Sequence, residues 1–238
     1  MVICMHGKSI ILCLLVAAFL LNAQGAGALE APDVTFIPEK LSVNSSFLVI
    51  ADPHVDEGES VLVNWVVGGI SYGSFPKISG KWMCYFSSTD STATCGPTPF
   101  TEPGSYVFVA SSLDQNGESS NETEGENDID IGSLRLSVLI TKAGNDISME
   151  VYPSDLVSGV SYQVYSSTGE AMSGLGGDLE KVEVPYVGEI SLADGEYYIS
   201  FEAESAGDFG GTLLRVFVGT SSQGGSSGIL DVDPISLV

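Results

Sequence analysis

The sequence is poor in the residues that do chemistry. Two histidines and four cysteines are spread over 238 positions. A zinc site of ordinary type needs three or four His, Cys or carboxylate ligands, and neither H-E-x-x-H nor paired C-x-x-C spacing occurs. Basic residues are scarce too, with 8 Lys and Arg against 31 Asp and Glu and a formal charge of −23. Nucleic acid and anionic headgroups both require Lys or Arg to neutralise phosphate, so the charge argues against binding either. There is no P-loop, no dinucleotide glycine signature and no basic aromatic stripe. A Ser-His-Asp triad would have to use His54, which stands among Asp52, Asp56 and Glu57 and reads as a turn histidine beside carboxylates. Paired carboxylates are plentiful, but glycoside hydrolysis needs them held across a concave cleft, which small sandwiches seldom offer. Also missing is any sustained 3.6-residue apolar stripe. What remains is 44% apolar and only 16% charged, enough to bury a core and unlike a disordered acidic chain. Composition thus favours a β-rich, non-enzymatic protein.

Residues 1–28 read as an export signal. Lys8 precedes an unbroken apolar run over 10–21, and Ala26-Gly27-Ala28 supplies the small-x-small pattern for cleavage. Twelve residues rise about 18 Å as a helix, short of the roughly 30 Å of a bilayer core. The membrane is therefore met only through the signal during export. Export permits disulfides. Cys4 and Cys13 leave with the signal, and Cys84 and Cys95 remain to close a 12-residue ring suited to stapling a hairpin. Asn44-Ser45-Ser46 and Asn121-Glu122-Thr123 match the glycosylation tripeptide, making Asn44 and Asn121 candidate acceptors.

Alternation with period two dominates the rest. Strands are expected over 33–41, 47–51, 61–67, 81–87, 106–111 and 134–140, punctuated by Gly, Pro and Asp/Ser clusters. Residues 141–145 read as a linker. A second set follows over 147–151, 160–166, 182–186, 189–192 (parted from the preceding one by Gly188), 197–203 and 212–218. The halves echo each other: Pro103-Gly104-Ser105-Tyr106 aligns with Asp194-Gly195-Glu196-Tyr197, and Gly132-Ser133-Leu134 with Gly211-Thr212-Leu213. The expectation is an all-β chain of two tandem sandwiches, 29–141 with an acidic loop over 113–131, and 145–219, followed by a flexible linker and apolar tail over 220–238.

Gly-x-Tyr entering an alternating strand at Tyr106 and Tyr197, with Trp65 on a central strand, resembles the immunoglobulin-like sandwiches of exported archaeal and bacterial surface proteins. The resemblance implies a tyrosine corner at each Gly-x-Tyr and a core role for Trp65. Cys84 and Cys95, only 11 apart, depart from the widely separated cysteines of antibody-type domains. A fibronectin-III-like or polycystic-kidney-disease-like sandwich fits equally well.

Two segments are the candidates for contact. The acidic loop gathers Asp114, Asn116, Glu118, Glu122, Glu124, Glu126, Asp128 and Asp130 without one Lys or Arg. Asp114-Gln115-Asn116-Gly117 faintly matches the start of an EF-hand loop, but Gly125 stands where the bidentate Glu belongs. The loop is thus read as a solvated, self-repelling partner loop, with calcium as the one cofactor in question. The tail places Ile229, Leu230, Val232, Ile235 and Leu237 after a Gly/Ser-rich linker. It is a strand packing back, the start of another domain, or a strand donated to a neighbouring copy, the last opposed by Pro234. The function expected is an exported structural or adhesive component of a cell surface or extracellular assembly, with protein partners or self-association. The alternative is a calcium- or carbohydrate-binding accessory module of a secreted system.

Overall fold

The structure, a computed structural model, describes residues 31–54, 62–113, 128–181 and 184–219. Every element among them is a strand. Residues 1–28, expected above to direct export, residues 114–127 of the expected acidic loop and residues 220–238 lie outside the described residues, and with them Asn121 and the apolar positions of the tail.

The first half contains β1 (Asp33–Ile37), β2 (Leu41–Ser42), β3 (Phe47–Asp52), β4 (Leu62–Val67), β5 (Ile70–Ser74), β6 (Lys77–Ile78), β7 (Lys81–Phe86), β8 (Gly104–Leu113) and β9 (Asp128–Gly132). They form one sheet in the order β1-β3-β7-β6 and another in the order β2-β9-β8-β4-β5. The expected strand over 33–41 breaks at Pro38, which has no N–H to give a ladder. The chain then crosses to the opposite sheet, where β2 runs parallel to β9. Val63, Trp65 and Val67 of β4 face inward as their alternation requires. Trp65 is the hub of an aromatic core, its ring 4.8 Å from Phe86 and 5.5 Å from Phe108.

The second half contains β10 (Leu136–Ala143), β11 (Asp146–Pro153), β12 (Val160–Ser166), β13 (Ala171–Asp178), β14 (Glu180–Lys181), β15 (Tyr186–Ser191), β16 (Gly195–Ser205) and β17 (Asp208–Val218). Its sheets run β10-β11-β15-β14 and β13-β12-β16-β17, closing on a largely aliphatic core that includes Ile147, Met149, Val151, Val160, Val164 and Ile199, with Phe201 among them.

Both halves share one plan. In each, leaving aside two-residue β2, the first, second, sixth and fifth strands make one sheet and the fourth, third, seventh and eighth the other, the strand order of an immunoglobulin-like sandwich. Tyr106, entering β8, donates its hydroxyl to the Glu102 carbonyl at 2.9 Å, which is the tyrosine corner. Tyr197 enters β16 at the equivalent place and is buried, but makes no such bond among the described residues. The second sandwich instead anchors Tyr186 of β15, whose hydroxyl donates to the Val157 carbonyl at 3.0 Å.

Three expectations need correction. Residues 141–145 are not a linker: β10 and β11 pair from Ala143 and Asp146 outward, so Gly144 and Asn145 are the turn of a hairpin. The strand expected over 134–140 therefore belongs to the second sandwich, and the crossing is the short stretch Ser133–Arg135. Hence half of the internal echo is real, since β8 and β16 are equivalent strands. The other half compares the first and last strands of the same sandwich. Period-two alternation is identical in both, so it cannot place a boundary between them. Finally, β15 passes through Gly188 unbroken, with Leu179 packed where a side chain would stand.

Candidate functional site

The two sandwiches are joined along a seam, and the seam is built by strands buried on both faces. In β3, Phe47, Val49 and Ala51 enter the first core, whereas Leu48 and Ile50 point the other way. In β7, Trp82, Cys84 and Phe86 point inward, and Met83 and Tyr85 outward. These outward residues meet Tyr198 of β16 and Leu213 of β17, with Ile37, in a third apolar cluster. Tyr85 and Tyr198 pack with ring centroids 5.5 Å apart. Met83 and Leu213 are fully buried. Burial pushes the Tyr85 hydroxyl up to about 12 and raises Tyr198 for the same reason.

Hydrogen bonds then cover the outer edge of β17. Leu213 N–H donates to the Ser46 carbonyl at 2.8 Å and Gly211 N–H to Ser42 Oγ at 2.9 Å. The Ser42 hydroxyl donates onward to the Leu134 carbonyl at the crossing. Backbones approach so closely that a Cβ on Gly210 would collide with the Leu134 carbonyl, and one on Gly132 with the Phe209 carbonyl. The crossing is clamped by Asp208, whose carboxylate accepts from the Ser133 N–H at 3.0 Å and from the Ser133 hydroxyl. Partial burial would raise the Asp208 pKa, but these bonds and the N–H groups of Phe209 and Leu134 outweigh it and hold the group below the carboxylate range. The clamp thus contributes at neutral pH and is lost as pH falls through that lowered value.

The rim is polar. Lys40 pairs with Glu204 and Lys81 with Glu170. Both pairs are partly exposed and contribute at most about 1 kcal/mol each. The bond to Glu204 is the main reason the Lys40 pKa is raised. Arg215 is better buried. Desolvation would lower its pKa, yet its 2.7 Å bond to Glu196 prevails, and its Nη1 reaches the Thr92 carbonyl at 3.3 Å.

Cys84 and Cys95 are joined, with Cα atoms 5.4 Å apart. The bond closes an irregular return along β7, where Cys95 N–H donates to the Tyr85 carbonyl and Ser87 N–H to that of Gly96, rather than a two-stranded hairpin. Asp128 and Asp130 are corrected from loop to strand: they are the outward residues of β9, between inward Ile129 and Ile131. Asp130 accepts from the Ser105 hydroxyl. Asp114, Asn116, Glu118, Glu122, Glu124 and Glu126, like Ile229, Leu230, Val232, Ile235 and Leu237, lie outside the described residues. Asn44 is exposed in the turn before β3 at φ 58°, while Ser46 of its tripeptide is buried with its hydroxyl on Ser87 Oγ. His54 Nε2 lies 2.9 Å from an Asp33 carboxylate oxygen.

Among the described residues no three His, Cys, Asp or Glu side chains gather as metal ligands would. An open hollow of about 450 Å³ beside the crossing is lined by Gly104, Ser105, Asp130, Ser133, Asp208 and Phe209, where both carboxylates are already engaged by serine hydroxyls. One string, Gly69-Ile70-Ser71-Tyr72-Gly73, has the letters of a G-x-S-x-G nucleophile elbow. It spans edge strand β5 with Ser71 opposite Val66, not the strand-to-helix turn such an elbow requires. What the arrangement does is join two bodies. Of the residues that do so, Met83 and Tyr85 carry a sequence signal, since the apolar runs Phe47-Leu48-Val49-Ile50-Ala51 and Trp82-Met83-Cys84-Tyr85-Phe86 do not alternate, as befits strands covered on both sides; Ser42, Asp208 and Leu213 lie outside those runs.

No family model matches the sequence, and no curated protein matches it. Among solved structures the chain is similar to the central fibronectin-III array of RIM-binding protein (12% identity, TM-score 0.30, covering 82% of this chain and 71% of that one). It is similar also to a two fibronectin type-III domain segment of chicken tenascin (8%, 0.28, 81% and 100%) and to the chicken CNTN1 FN1–FN3 domains (13%, 0.30, 82% and 69%). The immunoglobulin-like topology stands on the strand order and the Tyr106 corner, not on these superpositions.

Proposed function

We propose that this chain is an exported, non-enzymatic structural or adhesive component of a cell surface or extracellular assembly, working through protein partners or self-association. The observation that carries the reading is the seam. Two sandwiches are fastened by apolar packing, backbone hydrogen bonds and the Asp208 clamp into a body that transmits force and presents its outward sheets for contact. The Cys84–Cys95 bond supports an oxidising compartment, since structural disulfides persist there. The acidic surface keeps copies hydrated and apart except where contact is built.

The test is surface labelling of the source cells. An antibody raised against the purified chain should label intact cells or their extracellular matrix, and brief external protease should remove that label. Antigen detected only after permeabilisation, and untouched by external protease, overturns the reading.

A further inference from the structure

The seam has a direction. Ile37 pairs with Leu48 and Asp33 with Asp52, so β1 begins at the end of the first sandwich away from the crossing and runs toward it. Beyond Ile37, Pro38 and Lys40 lie against Gly211, near the start of β17. From there β17 runs back past Leu213, bonded to Ser46, to Val218, which pairs with Gly195 at the outer end. Ser166 pairs with Tyr197 at that same end. The turn that follows sets Gly169 against Ile50 and brings Glu170 to 2.9 Å from Lys81, the residue before Trp82, which pairs with Ala51. The sandwiches therefore lie side by side from the crossing outward, and the outer end holds both the start of β1 and the end of β17.

The contacts weaken along that line. Beside the crossing the backbones touch, since a Cβ on Gly132, Gly210 or Gly211 would meet the carbonyl of Phe209, Leu134 or Lys40 respectively. Leu134 is buried in the second core, and Ser133, between it and β9, is held by Asp208. The middle is apolar, with Leu48, Met83 and Tyr85 gathered with Tyr198 and Leu213. At the outer end stand the Ile50 side chain on the Gly169 turn and the partly exposed Lys81–Glu170 pair. Tension on β1 and β17 through their outer ends acts across the seam, so it strains these contacts one after another, the weakest first. Inside each sandwich the same tension runs along the strands. It enters the first by β1 and leaves by β9 at the crossing, then enters the second by β10 and leaves by β17. There the ladder bonds, perpendicular to the strands, share the load and yield together.

We propose that the seam is a tension-gated hinge. Force between the outer ends of β1 and β17 peels the sandwiches apart about Ser133 before either unfolds, and uncovers Leu48, Met83, Tyr85, Tyr198 and Leu213. The inference concerns mechanics and not location, so its failure leaves the labelling test of the surface role untouched.

An eleven-residue strand such as β17 is about 33 Å long, so swinging two such bodies fully open lengthens the molecule by at most about 65 Å. Unfolding the first sandwich releases on the order of 300 Å of chain. Optical-trap pulling on the whole chain, through tags at its two ends, should show the short step first, at lower force and reversibly. Lys81→Glu sets like charges at the outer end and should speed opening several-fold at fixed force. Lys40→Glu makes the same change to the pair at the crossing, where the lysine is 40% exposed against 39% for Lys81. It should leave the opening rate unchanged, because a peel reaches that pair last. Tyr198→Ala removes a ring from the seam and from neither core, and should lower the force of the short step most while leaving the later steps in place. A first event that releases on the order of 300 Å overturns the proposal. So does a short step indifferent to Tyr198→Ala, or one as sensitive to Lys40→Glu as to Lys81→Glu.

Discussion

The two sandwiches follow one strand order with different means. The first packs rings: Phe36, Phe47, Trp65, Phe75, Phe86, Phe100 and Phe108 contact one another in its core. The second packs mainly aliphatic side chains around Met149 and Ile199, with Phe201, Tyr186 and Tyr197 set among them. The first connects β7 to β8 through residues 87–103, the second connects β15 to β16 through residues 192–194. A long connection leaves more chain entropy to overcome, and it is there that the disulfide, the buried Phe100 and the Tyr106 corner are found. The topology tolerates either core, but a long crossing between its sheets has to be tied down.

The sharpest way to break this comparison is to damage one core and watch the other. Both tryptophans, Trp65 and Trp82, lie in the first sandwich, so fluorescence reports that half alone, whereas far-ultraviolet circular dichroism reports both. Trp65→Ala should cost about 3–5 kcal/mol. Ile199→Ala, in the second core, should cost about 2–5 kcal/mol and lower the urea midpoint seen by tryptophan fluorescence as well, because the seam couples the halves. A fluorescence transition unmoved by Ile199→Ala would show two independent domains. Next in size is the tie itself. Replacing Cys84 and Cys95 together by Ala opens a 12-residue ring and should cost about 3 kcal/mol on the loop-closure model, read as a lower urea midpoint that adding reductant to the variant no longer shifts.

The seam can be loosened by pH alone. The Tyr85 hydroxyl is raised in the folded chain to about 12 from an ordinary 10. A group whose folded pKa is raised stabilises fully below its unfolded value, and that contribution fades as pH climbs through the folded value. Stability should therefore fall by about 2–3 kcal/mol between pH 10 and 12. Tyr85→Phe keeps the ring packing against Tyr198 and should flatten that slope, measured as urea midpoints from pH 8 upward.

Much of the sandwich was legible from alternation, and most of the seam was not. Strands such as β4, β8 and β12 bury one side, so period two reveals them. β5 and β13 escaped because edge strands bury little, and the glycines of β13 imitate a turn. The boundary at Ser133 escaped because β9 and β10 alternate alike on either side of a very short crossing. Leu48, Met83 and Tyr85 read as surplus apolar residues until a second body covers them. The Asp208 clamp has no local signature at all, since its partner Ser133 is 75 residues away.

The smallest expected effect separates the two Gly-x-Tyr sites, which look alike in sequence. Tyr106→Phe removes the bond to Glu102 and should cost about 1 kcal/mol, the ordinary net value of one hydrogen bond. Its acceptor is exposed, and water replaces the lost donor. Tyr197→Phe removes a hydroxyl that makes no such bond and should change nothing measurable. Tyr186→Phe leaves the buried Val157 carbonyl without its donor and should cost about 1–3 kcal/mol, more than its counterpart in the first sandwich. Equal losses at Tyr106 and Tyr197 would mean that both halves keep the same corner. A loss at Tyr186 and none at Tyr197 would mean that the second sandwich has moved its anchor from the strand after the crossing to the strand before it, where a three-residue connection leaves nothing further to hold.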